Sequence, residues 1–248
     1  VQPPFHRIEE FVPLTPQDVE ITQSWTLSRR KILRGQVIRR EGDEVGGVFF
    51  LMEGWVGSSI MLRNGRRQIV KLNLPGDILG FPSLALMVSG ETLEALTDAV
   101  VSSISSAALG KMFAESPRLA VGLFLSTQRE RVALMQKLSW IGATSALERL
   151  AAFLLDLHDR LVATDAVTDG GFDFPITQQQ LGDLLGLTTV HVNRSLRRLD
   201  ETGCLQRSRG RIFIRNLQGL RALAPNLPPR FAGHEAWSRL GRPHRYEA

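Results

Sequence analysis

The segment ITQQQLGDLLGLTTVHVNRSLRRLDETG, residues 176–203, limits what this chain can fold into more than any other stretch. Its spacing predicts two short helices joined by a glycine turn. Thr177 with Gln180 three residues later forms a capping box, and Ile176 with Leu181 supplies a hydrophobic staple. Gly186 accepts the positive φ on which such a helix ends. Thr188 caps a second helix, where Leu187 and Val192 repeat the staple. Two capped helices around one glycine make a helix-turn-helix, here spanning 177–201.

Each residue turns a helix by about 100°, which sorts the second helix into faces. Val192, Leu196 and Leu199 form the buried stripe. Val190, Arg194, Arg197 and Glu201 lie opposite, flanked by His191, Asn193 and Arg198. A helix inserted in a major groove reads bases with its N-terminal residues and grips phosphates with its flanks. Arg194 has the chemistry to hold guanine O6 and N7, Asn193 to read adenine, and the apolar Val190 to meet a thymine methyl. The run Arg207-Ser208-Arg209-Gly210-Arg211 before Ile212-Phe213-Ile214 reads as a basic hairpin wing whose phosphate contacts add affinity without specificity. The candidate DNA-contacting set is Thr177, Gln178, Thr188, Thr189, Val190, His191, Asn193, Arg194, Arg197, Arg198 and Arg209. The competing assignment is a ligand-sensing signalling module whose C-terminal domain contacts protein, with the arginines merely solvated.

Charge distribution favours the nucleic-acid reading. The whole chain carries a formal +5, yet residues 186–221 alone hold eight arginines against Asp200 and Glu201. Such a local excess is the footprint of phosphate binding. No Ser/His/Asp set, metal-ligand spacing or phosphate-binding glycine loop is present, so the sequence carries no sign of an enzyme. No secretory pattern opens the sequence and no apolar run reaches the roughly 18 residues that span a bilayer, which predicts a cytoplasmic protein without membrane attachment.

Upstream, the periodicity changes twice. From about residue 31 to 106, short β-type segments alternate with glycine turns, and Asn64-Gly65 between two of them is a hairpin signal. Regularly spaced short strands predict a sandwich or barrel-like roll. From about 117 to 141 there is no internal proline, and Leu119, Leu123, Leu134, Leu138 and Ile141 fall at helical spacings, interrupted by Arg129, Glu130 and Arg131. Such a helix packs against a copy of itself or back on its own domain. Ser145-x-x-Glu148 opens a further amphipathic helix carrying Leu147, Leu150, Leu154, Leu157 and Leu161 on one face. Gly170-Gly171 breaks the chain before the helix-turn-helix, and the proline- and arginine-rich tail after residue 225 carries no regular pattern.

With ITQQQLGDLLGLTTVHVNRSLRRL at one end and GQVIRREGDEVGGVFFLMEGWVG and GRRQIVKLNLPGDILG at the other, the chain resembles the Crp/Fnr family of bacterial transcriptional regulators over about residues 10–220. The resemblance implies an α+β chain. Residues 1–112 would form a jelly-roll-like β-roll sensor domain of cyclic-nucleotide-binding type and 113–142 a dimerisation helix. Residues 143–224 would form a winged helix-turn-helix DNA-binding domain, and 225–248 a tail. It also implies a homodimer on a palindromic double-stranded operator and contact with RNA polymerase. The family's recognition helix commonly presents a glutamate four residues before a base-contacting arginine. Arg194 matches that arginine and Val190 stands in the glutamate's place, so the operator should differ from the common one.

No effector is identified. Gly76-Asp77-Ile78-Leu79-Gly80 resembles the start of the family's phosphate cassette, but Phe81-Pro82 follows where a ribose-binding glutamate is expected. No Lys, Arg or His lies between Leu72 and Gly110, and Asp77, Glu91, Glu94 and Asp98 make that stretch acidic. An unpaired phosphate buried there would carry a heavy desolvation penalty, which argues against cyclic AMP. The single cysteine, Cys204, excludes a cysteine-ligated iron–sulfur cluster within one chain, and the scattered His6, His158 and His191 give haem no support. Cys204 sits in an apolar context that predicts burial as a small hydrophobe.

Overall fold

The computed structural model describes residues 4–23, 25 and 28–224; the tail at 225–248 lies outside the described residues. The described chain divides into two compact units, 4–60 with 71–132, and 61–70 with 133–224.

The first unit opens with two helices that the sequence pattern did not predict, α1 (His6–Glu9) and α2 (Pro16–Gln23). Eight strands follow: β1 (Arg29–Ile32), β2 (Val37–Arg39), β3 (Gly47–Glu53), β4 (Val56–Met61), β5 (Arg67–Asn73), β6 (Ile78–Leu79), β7 (Thr92–Ala95) and β8 (Ala99–Ser105). They form two four-stranded sheets in the orders β1-β8-β3-β6 and β2-β7-β4-β5, the β-roll expected from the glycine-punctuated pattern. The Asn64-Gly65 signal falls in the turn between β4 and β5, where the Leu62 N–H donates to the Arg66 carbonyl at 2.8 Å.

Strand β3 explains how the core divides. Its continuous apolar run is buried on both faces, unlike a strand with one wet side. Val48, Phe50 and Met52 point to a cluster that includes Phe5, Ile8, Phe11, Val12 and Trp25 from the N-terminal segment. Leu51 points the other way, into the space between the sheets with Val56, Leu79, Leu93 and Val101. Phe5 stacks on Phe50 at 5.3 Å between ring centroids, and Trp25 meets both rings edge-on. Each such aromatic burial is worth about 1.5–3 kcal/mol, so α1 is an integral part of the roll.

Two further helices leave the roll, α3 (Ser106–Glu115) and the long α4 (Pro117–Ala143). Pro117 disfavours helical geometry at Ser116, and the chain breaks there. The Ser116 hydroxyl accepts the Leu119 N–H at 3.1 Å and donates to the buried Asp18 carboxylate at 2.5 Å. Asp18 also accepts the Thr15 N–H and hydroxyl at 2.8 and 2.7 Å. Burial alone would raise the Asp18 pKa; the hydrogen bonds from Ser116 and Thr15, with nearby Arg118, more than offset it and hold the carboxyl below its usual value.

Helix α5 (Ala146–Val162) begins at the expected Ser145 capping box, with Leu150, Leu154, Leu157 and Leu161 buried. Beyond it lie β9 (Gly171–Asp173), α6 (Gln178–Leu185), α7 (Thr189–Glu201), β10 (Leu205–Ser208), β11 (Arg211–Ile214) and α8 (Leu217–Leu223). β9 is a third wing strand where the sequence showed only a glycine break. It pairs with β11, placing Phe172 opposite Ile212. Both side chains are buried, which is why three residues suffice to make a strand here.

Candidate nucleic-acid interface

The helix-turn-helix is built by the caps that its sequence announces. The Thr177 hydroxyl accepts the Gln180 N–H at 3.2 Å while the Gln180 side chain accepts the Thr177 N–H at 2.9 Å, completing the box at α6. Gly186 ends α6 in the left-handed conformation, φ 66° and ψ 38°. Arg149 on α5 donates to the Leu185 carbonyl at 3.2 Å, placing a cation at the α6 C-terminus, where the helix dipole favours one. The Thr188 hydroxyl accepts the His191 N–H at 3.3 Å and starts α7. One determinant escaped the sequence pattern. A Cβ at Gly182, inside α6, would lie 2.7 Å from the Leu187 carbonyl oxygen, so only glycine lets the turn fold back this closely.

Burial sorts α7 as its periodicity predicts. Val192, Leu196 and Leu199 are buried together with Ser195. Thr177, Gln178, Thr188, Val190, His191, Asn193, Arg194, Arg197, Arg198 and Arg209 are exposed, and Thr189 is half-buried. Val190 is 63% exposed, an apolar side chain set among cations and amides. The hydroxyl of Thr188 and Nδ1 of His191 share a hydrogen bond of 3.1 Å, which orients the imidazole over the start of the reading helix.

Geometry divides seven of the eight arginines by task. Arg207 donates to Asp200 through Nε and Nη2 at 2.9 and 2.6 Å. Arg211 bonds the Thr168 hydroxyl at 2.7 Å, and Arg215 grips the Gln206 side chain at 2.9 and 2.7 Å. These three hold the wing together. Among the described residues Arg194, Arg197, Arg198 and Arg209 make no such side-chain bond or ion pair. Because Arg207 takes Asp200, Glu201 is the one carboxylate of α7 left without such a partner among the described residues, beside Arg194, Arg197 and Arg198.

The wing is the hairpin β10–β11, paired from Leu205–Ile214 to Ser208–Arg211. Its two-residue turn needs positive φ at both central positions. Gly210 (φ 77°) supplies this freely, whereas Arg209 (φ 49°) does so at a steric cost. The strained residue thus carries its guanidinium at the wing tip. Cys204, at the foot of β10, is buried as its apolar context predicts.

In the sensor unit several polar groups of the cassette region find partners within the roll. Asp77 accepts the Leu74 N–H at 2.9 Å and Arg7 Nε at 3.0 Å. Ser89 donates to the Glu91 carbonyl at 2.8 Å and contacts Ser83, both serines buried. The stretch between Leu72 and Gly110 lacks a cation in sequence, but β2 delivers one from outside it: Arg39 donates to the Gly80 and Gly47 carbonyls at 3.2 and 2.9 Å. A Cβ at Gly80 would lie 1.9 Å from this guanidinium. Burial pushes the Arg39 pKa down, countered in part by Glu91 and Asp43. Sequence-local reasoning missed this residue because it lies 41 positions upstream of Gly80. The third nitrogen, Arg39 Nε, is buried with no hydrogen-bond partner among the described residues.

Helix α4 presents two different faces. Leu119, Gly122 and Leu123 are buried in the roll. Phe124, Leu134, Leu138 and Ile141 are exposed by 54, 45, 70 and 59% respectively, an apolar stripe that no described residue covers. No described helix is long and apolar enough to cross a membrane. Among the described residues no group of three or more His, Cys, Asp or Glu is placed to hold a metal ion.

Comparison with known proteins agrees with this organisation. Residues 148–223 match the Crp-like helix-turn-helix domain and residues 29–116 the cyclic nucleotide-binding domain. The chain is 30% identical over 193 residues to the nitrogen fixation regulation protein FixK of Bradyrhizobium diazoefficiens, covering 77% of this chain and 79% of that protein. It is 28% identical over 211 residues to the anaerobic regulatory protein of Haemophilus influenzae, covering 84% and 82%. Among solved structures, FixK2 from Bradyrhizobium japonicum superposes with a TM-score of 0.73 at 28% identity, covering 81% of this chain and 98% of that one.

Proposed function

Because the chain belongs to the Crp/Fnr family of transcriptional regulators, we propose that two copies, paired through α4, read a two-fold symmetric operator with α7 in successive major grooves. One observation carries the assignment of surfaces: Arg194, Arg197 and Arg198 stand free on the exposed face of α7, while Arg207, Arg211 and Arg215 are consumed in building the wing. Arg194 grips guanine, Asn193 takes adenine, and Val190 meets a thymine methyl, contacts that distinguish base pairs in the major groove. Arg197, Arg198 and the wing-tip Arg209 bind phosphates, as do the exposed Thr177, Gln178, Thr188 and His191 and the half-buried Thr189 at the helix N-termini. Lacking a carboxylate at Val190, the protein has no acceptor for cytosine N4 at that position, so its half-site carries an A·T pair there.

Regulation of this kind works through RNA polymerase in the cytoplasm, and the family is one of regulators rather than enzymes. The residues present do not fit the cofactors that the fold brings to mind. The described residues offer one buried cysteine where a cluster takes several thiolates, and the cassette carries Phe81-Pro82 with two nitrogens of Arg39 already held by backbone carbonyls. Selection of binding sites from random duplex DNA tests the reading. The expected result is a palindrome with half-sites about one helical turn apart, roughly 34–36 Å. Sites without symmetry, or affinity no better than for bulk DNA, would refute it.

A further inference from the structure

One face of α4, exposed except at the half-buried Thr127, follows an alternating three- and four-residue spacing: Phe124, Thr127, Arg131, Leu134, Leu138, Ile141. This is the seam of a two-stranded coiled coil, about 26 Å long at 1.5 Å per residue. Its centre is occupied by a charge. Arg131 is exposed, and its neighbours three and four residues away are Thr127, Gln128, Leu134 and Met135, none of them a carboxylate. The adjacent charges are already committed, Arg129 to Glu10 at the end of α1 and Glu130 to Lys71 on β5, the latter at 2.6 Å. Among the described residues nothing neutralises Arg131.

Resting on the dimeric reading above, we infer that Arg131 sets the strength and the register of self-association. In a parallel, in-register pair, equivalent seam positions meet across the axis, so the guanidinium faces its own counterpart on the second copy. Two like charges in a partly dehydrated seam repel, and a single polar or charged residue at such a position fixes register at a cost in stability. A slip of one heptad would bury each Arg131 against Phe124 or Leu138 instead, which is worse for the charge and excludes that alternative. The free dimer is therefore weak, and operator contacts supply what the seam withholds.

Sedimentation equilibrium of the full chain without DNA, at about 0.05 to 0.5 M NaCl, tests this directly. Arg131→Leu should lower the dimer Kd at least about tenfold, equivalent to about 1.4 kcal/mol, and Arg131→Gln should fall between it and wild type. The wild-type Kd should fall as salt rises, because screening relieves like-charge repulsion, while that of Arg131→Leu stays nearly flat. An Arg131→Leu dimer no tighter than wild type overturns the inference, and so does a wild-type dimer that salt weakens. Leu138→Asp separates the role of Arg131 from dimerisation itself: if it leaves the dimer intact, α4 is not the interface and the dimeric reading fails.

Discussion

Replacing Gly182 with alanine gives opposite answers from two physical effects, and the structure decides between them. In an open helix interior Gly→Ala stabilises by about 0.8–1 kcal/mol, because glycine is the poorer helix former. At Gly182 the new Cβ would lie 2.7 Å from the Leu187 carbonyl oxygen and 3.8 Å from Val192 Cγ2. The first contact is with backbone that cannot rotate away, so α6 and the 186–188 turn must separate by several tenths of an ångström. Overpacking of this kind costs about 1–3 kcal/mol, leaving a net destabilisation of roughly 0–2 kcal/mol. Gly110 in α3 has nothing within 4 Å of where a Cβ would stand and serves as the control. Thermal and urea unfolding should show Gly110→Ala at or above wild-type stability and Gly182→Ala below it. Gly182→Ala should also weaken operator binding, although Arg194 and Asn193 are untouched. A Gly182→Ala protein as stable as the Gly110→Ala variant, with full affinity, would show that the tight turn does not constrain the reading head.

Arg194→Ala should cost about 1–3 kcal/mol in specific binding and relax preference at one base pair per half-site, read by competition assays with single-position operator variants. Arg209→Gly should raise wing stability by about 1 kcal/mol through relief of positive-φ strain, yet weaken all DNA sequences similarly and flatten the salt dependence. Asp18→Asn should lose about 2 kcal/mol at neutral pH. Because the Asp18 carboxyl lies below its ordinary 3.8, its contribution is present above that value and is lost as pH falls through the folded pKa, so the wild-type and variant melting curves should converge in acid. Titration calorimetry with cyclic AMP and cyclic GMP should show no stoichiometric binding at micromolar concentrations.

The reading head was legible in sequence because its determinants are local. Caps, staples and a helix-ending glycine act within a few residues of one another, so the chain from Thr177 to Gly186 states its own fold. Amphipathic burial in α7 needs only the period of 3.6. What the sequence could not show depends on distant partners. Strand β9 exists because Phe172 finds Ile212 on the wing, and α1 because Phe5 finds Phe50 and Trp25. Taken alone, their segments are too short to signal either element. The division of arginines into builders and readers is equally invisible in a charge count: Arg207 on β10 reaches Asp200, whereas Arg209, two residues on, stands in the turn at positive φ.

Arg39 makes the same point for the sensor, and it bears on what this β-roll can respond to. A phosphate site needs cations whose donors are still available. The structure supplies a cation to the cassette, but two of its nitrogens are already bonded to the Gly47 and Gly80 carbonyls. Its charge is answered in part by Glu91 and Asp43. Each of these bonds to a charged donor is worth about 1.5–3 kcal/mol, so a ligand that drew on the same two nitrogens would have to offset that loss. The carboxylates would then have to tolerate the incoming anion. The guanidinium thus ties β2 to the cassette through Gly80 and to β3 through Gly47, while its Nε is buried with no hydrogen-bond partner among the described residues.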